Sequence, residues 1–123
     1  MGESPQKLIS IVDDDLSMLE LYQTILSGKY RLFTTPSPRE FLDHLETVSP
    51  DLLIIDIMMP VLNGLEVLEN LKQQYDLPVL CISGSDSSIL QGEAKLLANV
   101  FITKPFKPKD LLERIEENLV CDL

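Results

Sequence analysis

The sequence predicts an α/β fold built on a parallel sheet with helices on both faces. Three observations predict it. Short, nearly continuous apolar runs recur five times along the chain, as strands buried on both faces do. Each run is followed by a stretch with apolar residues at helical spacing. The chain has 123 residues, enough for one such domain. Helical connections between short buried strands imply parallel pairing. No repeat, linker or second domain interrupts the pattern. The reading is a flexible start over residues 1–6 and a single domain over 7–123.

The elements follow in order. LISIV at 8–12 reads as a buried strand and runs into Asp13, Asp14 and Asp15. A helix is predicted over 16–27, with Met18, Leu21, Tyr22 and Ile25 on one face, Leu16 and Leu19 off its edge, and Gly28 as a stop. Residues 30–34 form a second strand with weaker alternation. TTPSPRE at 34–40 breaks the chain and starts a helix running to about residue 46. There Ser37 is the N-cap, Pro38 the first-turn proline and Glu40 the partner in a capping box. Phe41, Leu42 and Leu45 face inward. His44, the single histidine, has no companion ligand and reads as a surface residue.

LLIIDIMMP at 52–60 is a third buried strand that places Asp56 at its end. Asn63 and Gly64 turn the chain into a third helix over 65–74. PVLCIS at 78–83 is the fourth strand. The polar loop GSDSS leads to a helix over 87–97, weakened by Gln91 and Gly92. Residues 100–103 form the fifth strand. Lys104, Pro105 and Phe106 follow, and Pro108 opens the last helix, with Leu111, Leu112, Ile115 and Leu119 on its apolar side.

Composition excludes several classes of function. Twenty acids against ten bases give a net charge of −10, which argues against nucleic-acid binding, since that needs a basic footprint. No apolar run approaches the length of a membrane span, and no signal peptide opens the chain. Cys81 and Cys121 fit a reducing compartment, so the cytoplasm is the expected location.

In a parallel sheet every strand-to-helix junction lies at one edge, where α/β sheets bind their ligands. This sequence puts Asp13 and Asp14, Asp56, Ser83 and Lys104 there. Carboxylates that close repel one another and need compensation. Hard oxygen donors suit Mg²⁺, with Mn²⁺ as a substitute. A metal there could screen an incoming phosphoryl group, and an aspartate can attack phosphorus as a covalent nucleophile. The roles divide into Asp56 as acceptor, Asp13 and Asp14 as metal ligands, and Ser83 and Lys104 as groups that bind phosphoryl oxygens. Taken singly, each residue has a plainer explanation. Asp15 or its neighbours could cap a helix, Lys104 could be a solvated lysine, Ser83 a turn residue, and Met58 and Met59 packing. Their coincidence at one sheet edge outweighs these.

These pieces resemble the receiver domain of two-component response regulators. The matching segments are IVDDD at 11–15, IIDIMMP at 54–60 with Gly64 behind it, CIS at 81–83 and TKPF at 103–106. Each alone is weak; together, in order over nearly the whole chain, they are highly specific. The resemblance implies a flavodoxin-like (βα)5 three-layer sandwich with strand order 2-1-3-4-5. It implies that Asp56 is phosphorylated from the phosphohistidine of a sensor histidine kinase or a histidine phosphotransfer protein. It implies that Asp13 or Asp14, Asp56 and the backbone carbonyl of Met58 hold Mg²⁺, and that the Lys104–Pro105 bond is often cis. The implied protein is a regulator that catalyses only its own phosphorylation and slow dephosphorylation, as a monomer or a phosphorylation-dependent dimer.

The implied switch draws Ser83 and Lys104 toward the phosphoryl group, and Phe101 follows into the space near Ser83. The output face would be the fourth helix, fifth strand and fifth helix, read by an output partner or effector domain. The sequence ends just after the expected fifth helix, which fits either a stand-alone receiver or a domain of a longer protein. The kinase would dock near the first helix and the Pro105 loop, with Leu16 and Leu19 as contacts, although exposed leucines are also ordinary.

Three departures from the family pattern stand out. Ser83 replaces the commoner threonine. Phe101 lacks a phenolic hydroxyl. The segment at Leu97, Ala98 and Asn99 is slightly short.

Two rival functions remain open. Asp13, Asp15 and Ser17 fit the D-x-D-x-[ST] pattern of haloacid-dehalogenase-like phosphatases. A pseudo-receiver would keep the fold as a binding module without phosphorylation.

Overall fold

A computed structural model describes residues 6–56, 77–84 and 100–119. The described elements, in order, are β1 (Leu8–Val12), α1 (Leu16–Leu26), β2 (Arg31–Thr35), α2 (Pro38–Leu45), β3 (Leu52–Asp56), β4 (Val79–Ser83), β5 (Val100–Thr103) and the C-terminal helix α3 (Pro108–Leu119). The expected helices over 65–74 and 87–97, the turn at Asn63 and Gly64, the carbonyl of Met58, the short segment at Leu97 to Asn99, and Cys121 lie outside the described residues.

The five strands form one sheet in the order β2-β1-β3-β4-β5, as expected, and every pairing is parallel. β1, β3 and β4 are buried along their whole length. The edge strands β2 and β5 are only partly buried. Continuous apolar sequence therefore marked the central strands, and weaker alternation marked the second.

Strand periodicity divides the side chains between two faces. On one face Ile9, Ile11, Leu52, Ile54, Leu80 and Ile82 pack with Leu19, Tyr22 and Leu26 of α1 and Leu111 and Ile115 of α3. Phe33 points to the opposite face from Leu32, which joins that cluster. There it stacks on His44 of α2, with ring centroids 3.7 Å apart. Helices thus cover both faces, as the three-layer fold requires.

The start of β1 is stapled at the far edge of the sheet. Leu8 N donates to Asp51 Oδ2, and Asp51 N donates to Leu8 O, both at 2.8 Å.

The inward stripe of α1 differs from the expected one. Leu19, Tyr22 and Leu26 are buried, with Met18 and Ile25 beside them, whereas Leu21 is exposed. Ser17, Glu20, Gln23 and Thr24 form a polar side, but the apolar arc opposite is broad enough to admit two stripes, one centred toward Leu21 and one toward Leu19. Packing against Ile9 and Ile11 selects the one through Leu19. Leu16 is exposed as expected, but Leu19 is not available as a surface contact. His44 is half-buried against Phe33 rather than a surface residue.

The helix ends have local causes. Asp15 caps α1, its Oδ1 accepting from Ser17 N at 2.9 Å and Met18 N at 3.4 Å. Ser27 is the C-cap, and Gly28 turns the chain at φ 90°, a conformation that glycine alone adopts without strain. Ser37 Oγ accepts from Glu40 N at 3.1 Å, and Pro38 occupies the first turn. The reciprocal half of the capping box is relayed. Ser37 N donates to Thr35 Oγ1 at 3.0 Å, and the Thr35 hydroxyl donates to the Glu40 carboxylate. Thr35 is the last residue of β2 and fully buried, so it stands where Glu40 would otherwise reach.

Candidate metal and phosphoacceptor site

The carboxyl edge of the sheet carries the site. β1 ends at Val12, so Asp13 is the next residue; Asp13 N donates to Thr35 O at 3.2 Å, which extends the β1–β2 ladder past the strand end. Its side chain is held from below: Asp15 N donates to Asp13 Oδ1 at 2.9 Å. The same aspartates that leave β1 thus begin α1. β3 ends at Asp56, which is 6% exposed. β4 ends at Ser83, which is fully buried and pairs in register with Thr103. Lys104 N donates to Ser83 O at 2.9 Å, continuing that pairing by one residue.

Of the expected pocket residues, Asp13, Asp14, Asp56 and Lys104 converge. Carboxylate oxygens of Asp13, Asp14 and Asp56 lie within 4.8 Å of one another. Lys104 Nζ donates to Asp56 Oδ2 at 2.9 Å and stands 3.5 Å from Asp13 Oδ2. Asp13 and Asp56 are buried, whereas Asp14 is exposed at the mouth. The Lys104–Pro105 bond is cis. Gly84 lies under the lysine stem; a Cβ there would sit 3.7 Å from Lys104 Cβ. Phe101 pairs in register with Cys81 and shares the sheet face of Ser83, two residues further along β4.

Electrostatics follow from this geometry. Burial raises the Asp13 carboxyl above the ordinary range; the Asp15 amide and Lys104 oppose the rise, and Asp56 adds to it. Burial alone would lower the Lys104 ammonium, but its hydrogen bond and charge contact with Asp56, and then Asp13, leave it raised.

Asp13 Oδ2 is buried and has no hydrogen-bond partner among the described residues. Such an orphan oxygen is unusual. Together with two further carboxylates at close range it fits a hard divalent cation such as Mg²⁺. Asp15, by contrast, turns to the helix end as a cap. The neighbour that joins Asp13 in the pocket is Asp56, not the Asp15 that the phosphatase pattern would use.

Two features of the site surroundings were not anticipated. Tyr22 stacks on Phe106, with ring centroids 6.2 Å apart and planes 8° from parallel. A cleft of about 400 Å³ opens between β5 and α3, with Phe101, Pro105, Phe106, Glu113 and Arg114 among its walls.

Fold and site together define a flavodoxin-like domain with a lysine-bridged acidic pocket at its ligand-binding edge. The chain belongs to the response regulator receiver domain family, which it matches over residues 9–116. It is 35% identical over 116 residues to the response regulator GtcR of Aneurinibacillus migulanus, covering 92% of this chain and 48% of that protein. It is 34% identical over 113 residues to the alkaline phosphatase synthesis transcriptional regulatory protein PhoP of Bacillus subtilis, covering 89% and 47%. The chain thus spans about half the length of these curated relatives. Among solved structures it is similar to a CheY-like receiver domain protein from Methanospirillum hungatei, with TM-score 0.85, 32% identity and coverage of 93% and 94%. It also resembles the chemotaxis response regulator CheY4 of Vibrio cholerae, with TM-score 0.83, 27% identity and coverage of 93% and 99%. Among the described residues no helix is long and apolar enough to cross a membrane.

Proposed function

We propose that Asp56 accepts a phosphoryl group from the phosphohistidine of a sensor histidine kinase or histidine phosphotransfer protein. The observation that carries this reading is the placement of Lys104 Nζ, 2.9 Å from Asp56 and 3.5 Å from Asp13. One cation there bridges the acceptor carboxylate to the acid cluster. An Asp56 carboxylate oxygen attacks phosphorus, the P–O bond forms, and the P–N bond breaks with its electron pair leaving on the imidazole nitrogen. Lys104 exchanges part of its contact with Asp56 for a phosphoryl oxygen, and Ser83 donates to another. Asp13, Asp14, Asp56 and the carbonyl of Met58 would hold Mg²⁺, or Mn²⁺ in its place, which would supply charge neutralisation to the transferring group.

Drawing Ser83 and Lys104 inward biases the loops after β4 and β5, and Phe101 follows on the Ser83 face. The face that includes β5 and the C-terminal helix then signals to an output partner or effector domain. The protein catalyses only its own phosphorylation and dephosphorylation, and it acts in the cytoplasm.

The test is incubation with Mg²⁺ and acetyl phosphate followed by mass spectrometry. One phosphoryl group is expected on the wild type and none on Asp56→Asn. Phosphate retained by Asp56→Asn but lost from Asp13→Asn would replace this reading with the phosphatase one. A protein that binds Mg²⁺ yet takes no phosphate would be a pseudo-receiver.

A further inference from the structure

We infer that Tyr22 and Phe106 form an aromatic tie that positions Lys104 over Asp56; the inference rests on the phosphoacceptor reading above. The pocket has two sides carried by different parts of the chain. The acid side is continuous with α1, because Asp15 both donates its N–H to Asp13 Oδ1 and caps the helix. The cationic side leaves the edge strand β5. A lysine is a point charge on a flexible four-carbon stem, so the place of its ammonium depends on how well its Cα is anchored.

Lys104 is anchored before its Cα by its own N–H, which donates to Ser83 O at 2.9 Å. After its Cα, Pro105 is exposed and Phe106 is the next residue to pack. Phe106 packs by stacking on Tyr22, at a centroid distance of 6.2 Å and an interplanar angle of 8°. Tyr22 is 1% exposed and belongs to the main core cluster. The stack therefore fastens the lysine loop to the helix that begins at the acids. An aliphatic residue at 22 could fill the same core volume but could not hold the Phe106 ring in one plane. Burial, and then the charges of Asp13, Asp56 and Asp15, all raise the Tyr22 phenol, which places the ring in the field of the pocket. Neither ring belongs to the reacting groups, so both are positioning residues.

The test compares Tyr22→Phe, Tyr22→Leu and Phe106→Leu with Leu45→Ala, a buried change in α2 away from the pocket. Two quantities are read: the rate of Asp56 phosphorylation by acetyl phosphate at saturating Mg²⁺, and acetylation of Lys104 by limiting acetic anhydride without metal, mapped by mass spectrometry. Tyr22→Phe should stay within about twofold of wild type, while Tyr22→Leu should be phosphorylated about tenfold more slowly and Lys104 acetylated several-fold faster, as a displaced catalytic group requires. Phe106→Leu should repeat the Tyr22→Leu result, which guards against a folding failure of one variant. Leu45→Ala should lose stability without moving either quantity. Wild-type values of both in the two leucine variants, or equal losses in Leu45→Ala, would overturn the tie. If the wild type takes no phosphate, the phosphoacceptor reading fails, and the acetylation comparison still decides whether the rings hold Lys104.

Discussion

Asp13 Oδ2 lies 3.5 Å from Lys104 Nζ, an ion pair that stops short of a hydrogen bond. Asp13 is 1% exposed on its side chain, so it carries the desolvation of a buried carboxylate with incomplete compensation. Burial of the Asp13 carboxylate therefore opposes folding, and a bound divalent cation would offset that cost.

Replacing Asp13 with asparagine should therefore stabilise the metal-free protein, by on the order of 1 kcal/mol. The amide keeps an acceptor for Asp15 N and removes the buried charge. The same variant should lose the response to Mg²⁺. In the wild type, Mg²⁺ at about 100 times its dissociation constant should add about 2.7 kcal/mol, if it binds only the folded state. Urea denaturation with and without MgCl₂ measures both effects, and a destabilised Asp13→Asn would show that the Lys104 pairing outweighs burial.

The pH dependence has a definite sign. Burial raises the Asp13 carboxyl in the folded state, so between the ordinary aspartate value and that raised value the native protein binds more protons than the unfolded one. Stability from this group then falls as pH rises through the window. Lys104 is also raised, so its contribution is complete below the ordinary lysine value and is lost only as pH rises through the higher one. In metal-free urea titrations, the advantage of Asp13→Asn over wild type should grow as pH rises above the ordinary aspartate value and through the raised one. An advantage that shrinks over that range would contradict the assignment.

Cys81 should be chemically silent in the native state. Burial, and secondly the Asp56 charge, push its thiol up to about 12, and its side chain is fully buried. The thiolate is the reactive form. Iodoacetamide labelling followed by peptide mapping should leave Cys81 unmodified at neutral pH and modify it fully in denaturant. Rapid native labelling of Cys81 would show that β4 opens.

The relayed cap on α2 predicts that Thr35→Val destabilises more than Ser37→Ala. Ser37→Ala loses one cap acceptor, at about 1 kcal/mol. Thr35→Val leaves the half-buried Ser37 N without its acceptor and the exposed Glu40 carboxylate without its donor, at roughly 1–3 kcal/mol. Urea midpoints of the two variants, with equal slopes, settle the order.

The sheet was legible because its central strands are buried on both faces. Their interiors are almost wholly apolar, Ser10 of β1 excepted, and β1, β3 and β4 end at Val12, Asp56 and Ser83, where the sequence placed them. The pocket was legible for a topological reason: parallel strands bring their ends to one edge, so listing the polar residue after each strand lists the site. What sequence concealed was lateral contact. The choice between Leu19 and Leu21 on α1 depends on which edge of a broad apolar arc meets the neighbours beneath it. The Phe33–His44 and Tyr22–Phe106 stacks join residues that no local pattern relates. The Thr35 relay imitates a capping box so closely in sequence that only the position of the hydroxyl separates them.

Asp56 and Lys104 are 48 residues apart in sequence, and the lysine follows the last strand to be made. A nascent chain that has emerged only through β4 holds all three carboxylates and Ser83 but not the lysine that bridges Asp13 and Asp56. The lysine-bridged acidic pocket therefore comes into being only when β5 has been made. The pocket is in this way a record that all five strands have been made, with the core residues Leu111 and Ile115 of α3 still to follow.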